Sequence, residues 1–341
     1  MEKKSTPKLS SLPQLAHAFN DGLIPEKYQR IMVGFIESYM AALESLHIPL
    51  APYIPIFETF VRLVREQFLH PYQFQPYHAQ IRTPFDYYTY GLDFVRPLVD
   101  WSKSSVKGLE YGNEIKEHLQ KGANVILLAN HQSEADPQLI SVLLEKTHPE
   151  LGAQMIFVAG ERVVTDPLAV PFSMGRNLLC IYSKRYIDHP PEQKMKKQLH
   201  NKKTMELMSD LLSQGGKCIY VAPSGGRDRP NQEGVFEVAS FDPQSIEMFY
   251  LMAKKAKRPT YFYPLALLTY PILPPPQMVQ IELGECRKTQ SGAIHLAFGP
   301  QINMEEFPGK DLQDKHERRK MRAEFIWQQV VNDYTQISNH Q

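Results

Sequence analysis

The chain has 341 residues, 43% of them hydrophobic and 22% charged, a balance that excludes a disordered chain, a collagen-like fibre and a disulfide-stapled miniature scaffold. Lys and Arg number 38 against 37 Asp and Glu, so nucleic acid is not an expected partner, and any anion chemistry must come from a local cluster of bases. Three widely spaced cysteines (Cys180, Cys218 and Cys286) argue against a disulfide framework or zinc site, and no apolar run approaches the roughly 20 residues that span a bilayer.

Up to about residue 78 the pattern is helical. Tyr28, Ile31, Met32, Phe35, Ile36, Tyr39, Leu43 and Leu46 recur at three- and four-residue steps, as do Ile56, Phe57, Phe60, Val61, Val64 and Phe68. These predict antiparallel helices of an N-terminal bundle domain over residues 1–78, closed by an aromatic, proline-bearing linker at 70–77. The remainder, 79–341, reads as a larger catalytic α/β domain. Helices are predicted at 84–103 and 109–121. Strands at 124–129, 155–159, 178–182, 217–222, 260–268, 278–283 and 293–298 then follow, with helices at 137–146, 190–214 and 243–256. Such alternation predicts a mixed, largely parallel sheet flanked by helices, with the later strands adding an antiparallel edge. A last amphipathic helix is predicted over 311–337. In domains of this kind ligands sit beyond the carboxyl ends of the strands.

The strand 124–129 runs directly into Asn130-His131-Gln132-Ser133-Glu134-Ala135-Asp136-Pro137. An imidazole five residues before a carboxylate on one short loop is two-thirds of a triad: Asp136 can hold one ring nitrogen and leave the other as general base for a hydroxyl. No protein nucleophile completes it, so the attacking hydroxyl can belong to the substrate. The same Asp136-Pro137 pair also reads as a helix cap followed by a first-turn proline, which needs no chemistry. A metal site on His131, Glu134 and Asp136 lacks a second histidine, and Ser133 lacks a Gly-x-Ser-x-Gly elbow, so neither is expected.

A second cluster, Ala222-Pro223-Ser224-Gly225-Gly226-Arg227-Asp228-Arg229-Pro230, also follows a predicted strand. Its glycines let the backbone turn and approach a ligand, and Arg227 and Arg229 can present guanidinium forks to a phosphate; a solvated surface turn is the other reading. No Gly-Lys-Ser/Thr follows the glycines, which disfavours a nucleotide. Lys184 and Arg185 end a further strand and can converge on the same dianion. Between residues 184 and 203, seven bases face two acids, a local surplus suited to an acidic ligand or partner.

At these motifs the sequence resembles the soluble, plastid-type glycerol-3-phosphate 1-acyltransferases of the H-x4-D glycerolipid acyltransferases. The similarity runs from about Pro71 to Gly299 and includes Phe85-Asp86-Tyr87-Tyr88, Phe172-Ser173-Met174-Gly175-Arg176-Asn177 and Phe262-Tyr263-Pro264. It implies transfer of a fatty acyl group from acyl-acyl carrier protein, or acyl-CoA, to the sn-1 hydroxyl of glycerol 3-phosphate, with no cofactor. His131 would be the base, Asp136 its orienting partner, and Arg227 and Arg229 the phosphate ligands, helped by Lys184, Arg185 and Tyr186. Tyr186 stands where the family has a histidine. Acylation of lysophosphatidate or dihydroxyacetone phosphate, and a non-catalytic carrier-binding relative, are the alternatives. The expected setting is a bacterial cytoplasm, or else a plastid stroma, with at most peripheral membrane contact.

Overall fold

A computed structural model describes residues 22–184, 187–276 and 283–339. Two helices open the described chain, α1 (Glu26–Ser45) and α2 (Ile54–Leu69). They run antiparallel: Tyr28, Phe35 and Tyr39 of α1 meet Phe68, Phe60 and Phe57 of α2, at ring-centroid distances of 5.1, 5.5 and 5.1 Å. A two-residue strand β1 (Tyr77–His78), α3 (Tyr87–Val95), β2 (Ser105–Lys107) and α4 (Leu109–Gln120) lead into the alternating part. There the order is β3 (Asn124–Ala129), α5 (Asp136–Leu144), α6 (Pro149–Gln154), β4 (Ile156–Gly160), α7 (Val170–Ser173), β5 (Asn177–Ile181) and α8 (Lys194–Gln214). Next come β6 (Cys218–Val221), the small hairpin β7 (Arg229–Pro230) and β8 (Phe236–Glu237), α9 (Pro243–Lys255), β9 (Thr260–Leu268), β10 (His295–Phe298) and α10 (Lys315–Ser338).

Eight strands form one sheet in the order β1-β5-β4-β6-β3-β9-β10-β2. The run from β5 to β9 is parallel, as expected, and β10 joins β9 antiparallel. Yet β10 is not an edge. β2 covers it in parallel register, and β1 closes the opposite side antiparallel to β5. The helix expected over 84–103 ends early, because Arg96–Leu98 tighten into a 3-10 turn and the chain then extends toward β2. The expected strand at 278–283 lies, apart from Leu283, outside the described residues.

β3 is buried at every position because sheet neighbours flank it and helices cover both faces. Its side chains still alternate: Val125, Leu127 and Ala129 join one core, Ile126 and Leu128 the other. The first core includes α1, α2 and α3; the second is roofed by α8, α9 and α10. Phe94 of α3 and Phe172 of α7 link the N-terminal helices to the sheet, each within 6.0 Å of the Phe60 ring. Cys180 and Cys218 are buried within these cores and Cys286 is exposed. Among the described residues, no helix is long and apolar enough to cross a membrane.

Candidate active site

β3 and β6 are sheet neighbours, so the loops that leave their carboxyl ends lie side by side. On the β3 loop, His131 Nδ1–H donates to Asp136 Oδ2 at 2.8 Å. That carboxylate also accepts from the Gln132 and Ser133 backbone N–H groups, at 2.9 and 3.0 Å, and from the Thr269 hydroxyl at 2.5 Å. Four donors fill the acceptor positions of one carboxylate, so Asp136 is fixed in place. The tautomer of His131 follows: Nδ1 carries the proton and Nε2 is the free acceptor. Asp136 is 1% exposed, whereas the His131 side chain keeps 29% of its surface, enough for a substrate to reach Nε2.

The capping role open to Asp136 is not the one it takes. It opens α5, but its carboxylate turns back to residues 132 and 133, and the helix has no side-chain cap. Its charge still lies in the first turn, where it favours the helix dipole.

On the β6 loop, Gly225 has φ +68°, a left-handed conformation that favours glycine, and its N–H closes a turn on the Ala222 carbonyl at 3.1 Å. At Gly226 φ is ordinary, and an added Cβ would meet nothing within 4 Å; its lack of a side chain keeps room in front of the loop. Arg227 Nη2 pairs with Glu285 at 2.8 Å, and Nη1 lies 3.5 Å from Glu134. Arg229 donates through Nη1 to the Pro276 carbonyl. Arg287 completes the cluster, with Nε on Glu134 at 2.6 Å and Nη2 on Asp166 at 3.1 Å. Burial alone would push the Glu134 carboxyl up, but Arg287 and then Arg227 outweigh it and hold it at about 2. Asp228, between the two arginines, turns inward, and burial pushes its carboxyl up to about 6.

One cavity of about 680 Å³ touches both loops. Its polar wall carries His131, Glu134, Asp136, Arg227, Arg229 and Lys184, and its apolar wall carries Met32, Phe35, Phe60, Phe94, Leu98 and Phe172. His131, Asp136, Arg227, Arg229 and Lys184 are thus brought to one place. Lys184 sits at the outer side, 65% exposed and 2.7 Å from Asp242. Arg185 and Tyr186 lie outside the described residues. The basic stretch that follows is more compensated than its sequence implies. Lys194 pairs with Asp188 at 2.8 Å, and Lys197 is buried and donates to the His189 carbonyl.

Sequence reasoning did not single out Asp166, Thr269, Glu285 or Arg287. Thr269 follows the last residue of β9, so the strand-end rule could have found it. The other three carry no local signal, since their ion pairs join segments 58 to 153 residues apart.

Residues 113–274 match the Acyltransferase family model. The chain is 40% identical over 265 residues to a chloroplastic glycerol-3-phosphate acyltransferase of Arabidopsis thaliana, covering 77% of this chain and 58% of that protein. A spinach (Spinacia oleracea) protein of the same name is 41% identical over 285 residues, 83% of this chain and 60% of that one. The chain therefore spans about three-fifths of the curated relatives it matches. Among solved structures, the 1-acyl-sn-glycerophosphate (LPA) acyltransferase PlsC from Thermotoga maritima superposes with a TM-score of 0.39 at 17% identity, over 89% of this chain and 96% of that one, a distance at which the likeness carries no functional weight. With the H-x4-D loop, the Gly-Gly-Arg loop and this identity together, the chain belongs to the acyltransferase family, on the branch of the chloroplastic glycerol-3-phosphate acyltransferases.

Proposed function

We propose that the protein transfers a fatty acyl group from a thioester donor to the sn-1 hydroxyl of glycerol 3-phosphate, yielding lysophosphatidate. The observation that carries this reading is the shared cavity: a His–Asp dyad, two arginines and an apolar wall face one space. Phosphate is held by Arg227 and Arg229, with Lys184 nearer the entrance; on the family pattern Arg185 and Tyr186 assist. The arginines' present partners include two carboxylates and a carbonyl, which the dianion replaces as acceptor. The acyl chain lies along the aromatic wall supplied by α1, α2, α3 and α7.

His131 Nε2 accepts the proton of the acceptor hydroxyl as its oxygen attacks the thioester carbonyl. The C–O bond forms, and the carbonyl electron pair moves to oxygen. When the intermediate collapses, the C–S bond breaks and the departing sulfur receives that proton from His131. Asp136 stabilises the transient imidazolium without moving, because all four of its donors are fixed. A thioester is already activated, so direct attack requires no acyl-enzyme.

Residues 1–78 and 79–341 divide this work by role: the described N-terminal helices wall the acyl channel and the larger part carries the chemistry. Acyl-acyl carrier protein is the proposed donor, acyl-CoA the alternative, and the setting is a bacterial cytoplasm or a plastid stroma. The relatives' chloroplastic names support the second. Side-by-side assays with carrier-bound and CoA-bound acyl groups, and with glycerol 3-phosphate, dihydroxyacetone phosphate and lysophosphatidate as acceptors, test the proposal. Transfer to glycerol 3-phosphate with the highest kcat/KM is the expected result. A preference for another acceptor, or donor binding without transfer, refutes it.

A further inference from the structure

Three consecutive residues of the His131 loop meet a single residue of the arginine loop. The Asp228 backbone N–H donates to the His131 carbonyl at 2.6 Å. Its Oδ2 accepts from Asn130 Nδ2 at 2.8 Å and from Gln132 Nε2 at 3.4 Å. On the other side, Oδ1 accepts from the Ala239 N–H at 3.0 Å. The residue is fully buried. Asn130 is itself clamped to β9, taking the Leu267 N–H on Oδ1 at 2.7 Å and giving Nδ2 to the Leu267 carbonyl at 2.9 Å. The short peptide that bears both guanidiniums is therefore tied, through the residue between them, to the residues on either side of His131 and to His131 itself.

We propose that Asp228 is a positioning residue that couples the two halves of the site: a phosphate dianion on Arg227 and Arg229 is felt through Asp228 by Asn130-His131-Gln132, and sets His131 Nε2 for the acceptor hydroxyl. This rests on the acyltransferase reading above and adds to it a route by which the phosphate influences turnover. Phosphate draws Arg227 and Arg229 from their present partners, and the backbone between them follows. Since Asp228 cannot shift without shifting Asn130, His131 and Gln132, the pull reaches the base. Binding energy gained far from the reacting oxygen is then expressed in kcat and not only in KM. Were the two loops independent, phosphate would merely concentrate the acceptor.

The test separates the dianion from the hydroxyl. Glycerol serves as a truncated acceptor and inorganic phosphite as the detached dianion, with one acyl thioester as donor. In the wild type, saturating phosphite is expected to raise the rate of glycerol acylation about tenfold or more. In Asp228→Asn the amide must present a donor either to Asn130 or to the Ala239 N–H, and the ratio of rates with and without phosphite falls toward one, whatever the basal rate. With glycerol 3-phosphate, the same variant loses more in kcat than it gains in KM. A wild type that acylates glycerol 3-phosphate but shows no phosphite effect overturns the coupling, as does a variant that keeps the wild-type ratio. Should Asp228→Asn fail to fold, Asn130→Ala removes the 2.8 Å bond while leaving Asp228 in place. There too a reduced ratio is expected, and an unchanged one overturns the proposal. If the wild type does not acylate glycerol 3-phosphate at all, it is the function that fails, a different result from loss of the phosphite effect alone.

Discussion

The loops after β3 and β6 leave adjacent strands and face one cavity, yet they are held in opposite ways. The β3 loop is closed on itself: Asp136 takes four donors from neighbours in sequence and from Thr269, and the histidine has one tautomer. The β6 loop is open, with a glycine at positive φ, empty space at Gly226 and arginines whose partners are carboxylates and a carbonyl that an anion can replace. A base whose tautomer must be set before substrate arrives is held by its own carboxylate, whereas a clamp that must exchange partners is provisional. Asp228 is where the fixed loop and the exchangeable one are joined.

Four substitutions sharpen or break that contrast. The largest effect is expected from Asp136→Asn, which sets an amide donor among groups that all donate. Turnover should fall about 10²–10⁴-fold, the usual share of a positioned base, while KM for glycerol 3-phosphate changes little. A kcat near wild type would show that the β3 loop is not the fixed element. Next, Glu134→Gln should reduce stability by about 3 kcal/mol at neutral pH, because it leaves Arg287 and Arg227 without a shared carboxylate. Held at about 2 against an ordinary 4.5, the Glu134 carboxyl contributes stability that is full above about 4.5 and lost as pH falls through about 2. Urea unfolding of both proteins should therefore give curves that converge in acid; a gap independent of pH would place the loss elsewhere.

Smaller is Arg227→Ala. Loss of charge-assisted bonds worth about 1.5–3 kcal/mol predicts a kcat/KM for glycerol 3-phosphate lowered about 10–100-fold, shared between a raised KM and, through Asp228, a reduced kcat. Least of all is Lys184→Ala, whose exposed ammonium already pairs with Asp242, so KM should move less than about fivefold. If Lys184→Ala proved the more damaging of the two, the dianion would sit nearer the rim than the arginines place it.

How much of this was legible in the sequence depended on distance along the chain. Strands at 124–129 and 260–268 have the bounds that their apolar runs predict, because burial on both faces leaves an uninterrupted signature. β1 and β2, two and three residues long, carry no pattern of their own and exist because β5 and β10 offer an edge. The site divides likewise. His131 and Asp136 touch across five residues, and Arg227 and Arg229 share a turn, so both pairs are visible as motifs. The ion cluster around Arg287 spans Glu134, Asp166 and Glu285, and nothing near Cys286-Arg287-Lys288 announces it. Lys197 misleads in the reverse sense: one of a run of lysines, it points inward over the Tyr182 ring at 5.4 Å.

The central claim is that His131 Nε2 takes the acceptor's proton, and steady-state transfer from an acyl thioester to glycerol 3-phosphate by wild type and His131→Ala tests it most directly. With melting temperatures matched, kcat of the variant should fall about 10²–10⁴-fold and KM for glycerol 3-phosphate should stay within about threefold, since the arginines are untouched. Turnover by His131→Ala at the wild-type rate would contradict the account.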